Sequence, residues 1–298
     1  MPVTLVLVSC ALSPTSLGLA KLAISSPWRS QPHLSMLSHP PRGTAAIAPM
    51  NGQQTEEMPH ADGYKPRWRG RLHQAGAMIF PLVGFELYRT ATASTGGVSQ
   101  ALMFFAGVQG ILAVSGVMHT TDWRQRHPEL VLPVGKIYHP QWIRLLDYSM
   151  IFVGIGLVCS SLGALIMGHA PVFRRVIAPI VWGSAIVGIT MKACFINTAR
   201  WVEAVAFLLQ GWACILGYPV MRAVLSPQQW GVLFSGGMCF TLGVIAYVFQ
   251  WPDFHWHRQH FRAHEAFHLG TIGGFGCFSL LMRSLLLTSS TPFLCCVR

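Results

Sequence analysis

Residues 101–120 read ALMFFAGVQGILAVSGVMHT, a run that is almost entirely apolar and that carries Ser115 and His119 near its end. The hydrocarbon core of a bilayer is about 30 Å thick, and a helix that rises 1.5 Å per residue needs about 20 apolar residues to cross it. This run has that length. It therefore predicts a membrane-spanning helix with a serine and a histidine at one end.

Six further stretches have the same length and character, so the sequence predicts an all-α integral membrane protein with a bundle of seven transmembrane helices. Tryptophans stand at several predicted span ends, as aromatic belts require. Together the spans form a membrane domain over residues 72–288, followed by a short C-terminal tail at 289–298. The predicted spans are 73–92, 100–120, 143–168, 176–192, 201–221, 230–250 and 263–287.

The composition of the whole chain agrees with this fold class. Its 298 residues are 52% hydrophobic and 10% charged, with a mean hydropathy of +0.46, whereas a soluble domain is about a quarter charged. The net charge of +11 comes from 21 Lys and Arg that stand singly or in short clusters between apolar runs. A nucleic-acid-binding protein would gather them on one face, so we expect no nucleic acid partner.

The first 71 residues differ from the rest. No acid occurs before Glu56, Ser and Pro recur, and an apolar start, VTLVLVSCAL at 3–12, precedes scattered Lys and Arg. This composition predicts a leader, either cleaved as a signal or transit peptide or disordered. A disordered cytosolic tail fits the same composition about equally well.

Cations on the two sides of the membrane predict the orientation. Twelve Lys and Arg flank the spans on the side of the N-terminus and six on the other side, and cytoplasmic loops carry the excess of such residues. The N-terminus is therefore predicted to be cytoplasmic. The host membrane is the plasma membrane or an endomembrane, or that of an organelle if the leader is a transit peptide.

Ionisable groups inside the spans are functional candidates, because each costs at least about 2.5 to 3.5 kcal/mol on insertion scales. The second span ends with Ser115 and His119 one helical turn apart, the third opens with Asp147, and the seventh opens with His264 and His268 one turn apart. Because successive spans alternate in direction, these three span ends lie at the same surface of the membrane. The five residues therefore share one level.

Three imidazoles at one depth fit a zinc site, in which three protein ligands leave one position for water or substrate. His119, His264 and His268 are the predicted ligands of Zn²⁺ at one leaflet. Asp147 would orient or deprotonate the water, and Ser115 would hydrogen-bond beside the metal or to the substrate. A cluster of buried histidines paired with Asp147 or with backbone carbonyls explains the same residues about as well.

Two acids receive other predicted roles. Glu86 falls near the opposite leaflet, where we expect it to form a salt bridge with Arg89. Glu265 points away from the His264 face and is interpreted as the hydrogen-bond or ion-pair partner of a neighbouring residue such as Arg262. The histidines before the last span, His255, His257 and His260, are interpreted as part of an interfacial loop.

The chain resembles the hemolysin III and progestin and adipoQ receptor family, heptahelical proteins in a wider group that includes alkaline ceramidases. The resemblance covers about 73–287. It rests on S-x-x-x-H closing the second span, LDYS opening the third, SGGMCFTLGVIAY at 235–247, and H-x-x-x-H opening the seventh. Two features depart from the family pattern. The segment between His119 and Asp147 is longer than usual, and His73 in the first span lacks the acid and Asn that commonly precede this position.

The resemblance implies a zinc bound by the histidines now at 119, 264 and 268, with Asp147 and Ser115 beside it. The favoured function is zinc-dependent hydrolysis of a lipid amide such as ceramide. The alternative is a signalling receptor or regulator whose zinc staples helices together and whose protein ligand is unknown. A pore-forming haemolysin ranks last, because the polar residues cluster at one level and do not line a channel.

Overall fold

A computed structural model of the protein describes residues 66–94, 96–123, 139–253 and 259–288, and the regular elements in this part of the chain are all helical. A π-helical segment, Phe173–Ile177, leads into α4, and a 3₁₀ segment, Ala213–Gly217, joins α5 to α6. The helices are α1 (Arg71–Ala93), α2 (Val98–Thr120), α3 (Gln141–Met167), α4 (Ala178–Cys194), α5 (Arg200–Trp212), α6 (Tyr218–Val224), α7 (Pro227–Phe249) and α8 (Ala263–Thr288).

Six helical stretches are long and apolar enough to cross a membrane, and they start at Val98, Gln141, Phe173, Arg200, Pro227 and Ala263. The seventh helix, α1, is 23 residues long and packs against α2 and α8. The predicted all-α, seven-helix membrane fold is confirmed. Each predicted span coincides with one of these stretches, and its ends lie within three residues of the observed ends.

Several expectations fall outside the described residues. Positions 1–65 of the predicted leader and the whole tail at 289–298 are among them, as are His255 and His257. The division into leader, membrane domain and tail stays a prediction. So does the cytoplasmic position of the N-terminus, which rests on the distribution of Lys and Arg alone.

The fifth span contains a break that the sequence analysis missed. It was expected to be one helix over 201–221, but α5 ends at Trp212 and α6 begins at Tyr218. The cause is visible at Pro219, which has no backbone N–H to donate and whose ring clashes with the carbonyl four residues earlier. The 3₁₀ segment Ala213–Gly217 connects the two helices where a regular α-helix cannot continue.

Glycines allow α7 and α8 to touch through their backbones. A Cβ atom at Gly270 would lie 2.7 Å from the carbonyl oxygen of Cys239 and 2.9 Å from the Cα of Gly243. Small residues permit this close approach between membrane helices. The contact fixes α8 against α7 less than one turn beyond His268, so it also fixes the depth at which the α8 histidines lie.

This contact predicts a stability difference between two glycines of the same helix. Gly270→Ala should lower the free energy of unfolding by about 1 to 3 kcal/mol, because the new methyl group forces the two backbones apart. Gly276→Ala is the matched control, since a Cβ there meets nothing within 4 Å. Thermal unfolding of both variants in detergent measures the difference. Equal melting temperatures would contradict the close contact.

Candidate metal centre and adjoining cavity

Three histidines from the two predicted helices come together at one end of the bundle. His264 and His268 lie one turn apart in the first turns of α8 and so share a face, and His119 comes from the last turn of α2. Their ligand atoms all lie within 4.8 Å of one another. His119 and His268 are 2% and 1% exposed. The prediction that these three residues form a group able to hold a metal ion is confirmed.

The group fits a metal ion in spacing and in donor type. With Zn–N bonds of 2.0 to 2.1 Å in a tetrahedron, ligand nitrogens lie about 3.3 Å apart, and the Nε2 atoms of His119 and His264 are 3.1 Å apart. The Nδ1 atom of His268 is buried and has no hydrogen-bond partner among the described residues. Imidazole suits Zn, Cu, Fe and Ni, whereas Mg²⁺ and Ca²⁺ prefer oxygen ligands.

The two predicted catalytic residues lie close to this group. Asp147 occupies the second turn of α3, is 7% exposed, and forms part of the wall of the cavity that the three histidines also line. Ser115 lies one turn before His119 and is 4% exposed, and its Oγ lies 2.8 Å from Nδ1 of His73. The roles of both residues remain predictions.

His73 adjoins the group, and the sequence analysis gave it no role. It lies in the first turn of α1, is 2% exposed, and its ring stacks on that of His268 with centroids 3.7 Å apart. Its Nε2 lies 2.8 Å from Thr271 Oγ1. A signal was present in the sequence, because the first span begins at the same surface at which the second ends. His73 is therefore expected at the same membrane level as His119.

The residues just before α1, the 66–70 segment, are held against the start of α8. Two of its backbone N–H groups donate to the carbonyls of residues 259 and 260, at 2.9 and 3.3 Å. Gly70 has φ 76°, and a Cβ there would lie 2.4 Å from the Cβ of His119. Only glycine combines this left-handed backbone with so close an approach. The segment therefore packs directly against the backbone and Cβ of His119.

A buried ion pair anchors the same segment. Arg69 Nε lies 2.6 Å from Glu265 Oε1, with side chains 3% and 0% exposed. The other carboxylate oxygen accepts the backbone N–H of Arg262 at 2.9 Å. The expected contact between Glu265 and Arg262 is therefore present as a hydrogen bond from the backbone N–H. The ion pair with Arg69 was missed, because Arg69 comes from a distant part of the sequence that spacing along a helix does not reveal.

The expected partner of Glu86 was wrong. Its carboxylate lies 3.8 Å from Arg283 on α8, where both side chains are about half exposed. Arg89 instead lies over the ring of Phe85, 6.0 Å from its centroid. Packing of α1 against α8 brings Arg283 within reach, and only the folded bundle shows it.

A second buried ion pair, also missed, lies at the cavity wall. Lys192 is fully buried at the end of α4 and contacts the carboxylate of Glu203 in the first turn of α5. Its ammonium group also donates to Thr198 Oγ1 at 2.6 Å, and the hydroxyl of Tyr247 donates to Glu203 at 3.4 Å. The sequence contained a signal for this pair, because Lys192 and Glu203 carry opposite charges on either side of a short turn between two apolar runs.

A cavity of about 410 Å³ begins at the histidine group. Its wall on α3 runs from Asp147 to Met167, which is about 30 Å at 1.5 Å per residue. Three wall residues, Ile215, Tyr218 and Phe234, are 47%, 43% and 56% exposed. The cavity is therefore open where these residues of the fifth span and α7 lie.

Beyond its histidine end the cavity is lined mainly by apolar side chains, among them Ile151, Ile155, Leu162, Phe240 and Phe275. Fold and site together define a class: a seven-helix membrane protein with a buried histidine group, able to hold a metal ion, at the head of a long apolar cavity.

Comparison with known proteins gives the family. A family model described as Haemolysin-III related matches residues 63–279, and the chain belongs to this family, which is the same as that of the progestin and adipoQ receptors. The predicted resemblance is confirmed.

Two relatives illustrate the match. The Hemolysin-3 homolog of Bacillus subtilis (strain 168) is 27% identical over 119 residues, which is 39% of this chain and 54% of the relative. The Hemolysin-3 of Bacillus cereus is 26% identical over 141 residues, 46% of this chain and 60% of the relative. The chain thus matches a little over half the length of these relatives.

The two glutamates with different partners give a test of the buried anchor. Glu265→Gln should lower the free energy of unfolding by about 3 to 5 kcal/mol, because it removes the charge that neutralises Arg69 in a buried site. Glu86→Gln, at the exposed pair, should cost less than about 1 kcal/mol. Thermal unfolding of both variants in detergent makes the comparison. An equally small effect for Glu265→Gln would contradict its anchoring role.

Proposed function

We propose that this protein is a zinc-dependent hydrolase that cleaves a lipid amide such as ceramide. One observation carries the proposal: the three histidines that can hold a metal lie at the polar head of a long apolar cavity. Such a cavity suits a molecule with one polar linkage and long acyl chains. Its volume falls within the range of about 300 to 1,000 Å³ that is typical of ligand pockets.

The residues of the chain divide the chemistry between them. Zinc held by His119, His264 and His268 would supply an activated water and polarise the amide carbonyl. Asp147, which lines the same cavity as the three histidines, would accept a proton from the water and deliver it to the leaving amine. The apolar wall keeps bulk water away from the amide, which strengthens each electrostatic interaction at the histidine end.

The substrate is proposed to enter sideways from the membrane. The exposed wall residues Ile215, Tyr218 and Phe234 would face the lipid tails that surround the bundle. An acyl chain that moves from lipid into an apolar cavity exchanges one apolar environment for another, so entry incurs little desolvation cost. A water-soluble amide would not have this route and gains nothing from the long wall.

With the N-terminus cytoplasmic, as the cations indicate, the histidine end belongs to the cytoplasmic leaflet. The amide of a lipid anchored in that leaflet would lie close to the same level as the metal. This orientation is part of the proposal and would fail if a tag before residue 66 were protected from protease added to the cytoplasmic side of sealed vesicles.

The names of the two relatives raise membrane lysis as an activity of this chain as well. The cavity argues against a water-filled pore, because its wall is mainly apolar for most of its length and an aqueous channel needs polar lining. Lysis by this protein would more readily follow from hydrolysis of membrane lipids. A receptor in which the metal only staples helices would bind zinc and show no turnover.

The metal proposal predicts the metal content of histidine variants. Purified wild-type protein should contain about one zinc ion, and His119→Ala, His264→Ala and His268→Ala should each lose it, because two imidazoles remain. His169→Ala is the control, since His169 is exposed and lies outside the group. Elemental analysis of the purified proteins measures this. Wild-type protein without zinc, or variants that retain it, would identify a buried histidine cluster.

The hydrolase proposal predicts a separation of catalysis from metal binding. Asp147→Asn should lower kcat for fatty-acid release from ceramide by about 10²- to 10⁴-fold, the usual contribution of a positioned acid or base, while the zinc content stays unchanged. Asp253→Asn is the matched control, because Asp253 is 42% exposed and pairs with Arg262. Mass spectrometry of released fatty acid gives the rate. Zinc-loaded protein without turnover would favour the receptor alternative.

A further inference from the structure

The ring of His268 is covered on one face by another imidazole. His73 lies parallel to it, with an interplanar angle of 12° and centroids 3.7 Å apart. The other described rings that contact His268 are tilted: His119 at 52°, His264 at 61° and Phe267 at 53°. His73 therefore provides the one flat surface among these contacts, and rotation of the His268 ring out of its plane would displace His73.

Hydrogen bonds hold His73 in place at both ring nitrogens. The hydroxyl of Thr271 donates its single proton to the carbonyl of His268 at 2.7 Å. Nε2 of His73, 2.8 Å from Thr271 Oγ1, must therefore carry the proton and donate. In the neutral ring Nδ1 then accepts from the hydroxyl of Ser115, also at 2.8 Å.

The result is a directed chain across three helices: Ser115 on α2 donates to His73 on α1, which donates to Thr271 on α8, which donates to the backbone of His268. His268 is thus contacted at two points, at its ring by the stack and at its carbonyl by the end of the chain. The His73 ring cannot move along the His268 ring without breaking one of its two buried hydrogen bonds. A buried donor or acceptor left without a partner costs about 1 to 3 kcal/mol.

We propose that His73 is a positioning residue for the metal centre: it fixes the orientation of the His268 ring, and Ser115 acts on the metal centre through His73. This inference rests on the proposed metal site. It assigns a function to a residue outside the three predicted metal ligands, whose two ring nitrogens lie against the hydroxyls of Ser115 and Thr271. It also changes the expectation for Ser115, whose hydroxyl proton is directed to His73 and away from a bound lipid.

Two variants of His73 separate the two contacts. His73→Phe keeps a flat ring for the stack and loses both hydrogen bonds, whereas His73→Gln keeps an amide that can donate and accept and loses the stack. Each should weaken zinc affinity by about 10- to 100-fold, as changes behind a metal ligand usually do. Competition with a chromophoric chelator measures the affinity. Cobalt(II) loaded in place of zinc should show shifted visible absorption bands if the geometry of the metal site changes.

The chain itself is tested by combining variants. Ser115→Ala and Thr271→Val should each weaken zinc binding in the wild-type background, but Ser115→Ala should add little in the His73→Phe background, because its only route to the metal is then gone. Thr241→Val is the matched control: Thr241 donates to the carbonyl of Gly237 at 2.8 Å and accepts the indole N–H of Trp212 at 3.1 Å, away from the histidines. It should leave zinc affinity unchanged.

The outcomes distinguish this inference from the proposed function. Wild-type protein that binds no metal overturns the metal site and the inference together. Wild-type protein that binds zinc, with affinity within twofold in folded His73→Phe and His73→Gln, overturns the inference alone. Full additivity of Ser115→Ala and His73→Phe would show that Ser115 acts independently. Thermal unfolding confirms that each variant is folded, and the milder Ser115→Ala and Thr271→Val keep the test valid if a His73 variant is not.

Discussion

A buried polar group in a membrane bundle has no water to satisfy it, so it must find a partner in the protein or in a bound ion. This constraint organises one end of the structure. Arg69 is met by Glu265, Lys192 by Glu203, and His73 by Ser115 and Thr271. The ligand atoms of His119, His264 and His268 lie within 4.8 Å of one another, so this group could hold a metal ion. A metal ion bound there, as proposed, would be a further partner for buried polar groups at this end of the bundle.

The fold was predictable from the sequence because its cause is local. Span length and apolar character follow from about 20 consecutive residues, and each of the seven was placed to within three residues. Depth was predictable too, since alternating spans fix which ends share a surface. His119, His264 and His268 were therefore expected at one level of the membrane.

Rotation of each helix about its own axis was not predictable, and the missed residues depend on it. In a soluble helix the apolar stripe marks the inner face, but here lipid and core are both apolar, so hydropathy does not distinguish them. The stack of His73 on His268 and the pairing of Arg69 with Glu265 require that rotation to be known. The break before Tyr218 is a different case, because Pro219 was a local signal in the sequence that the prediction of one continuous helix over 201–221 did not use.

The order in which the chain is made gives the site a consequence of its own. Arg69 precedes α1, His73 lies in α1 and His119 in α2, whereas their contacts Glu265, Thr271 and His264 belong to α8. A nascent chain that has inserted six spans therefore presents a polar face that lacks its α8 contacts, although His73 already lies beside Ser115 of α2, and completion of α8 supplies these contacts in a single step. Truncated or stalled products expose that polar face, which gives a cellular quality-control machinery a feature by which to recognise them.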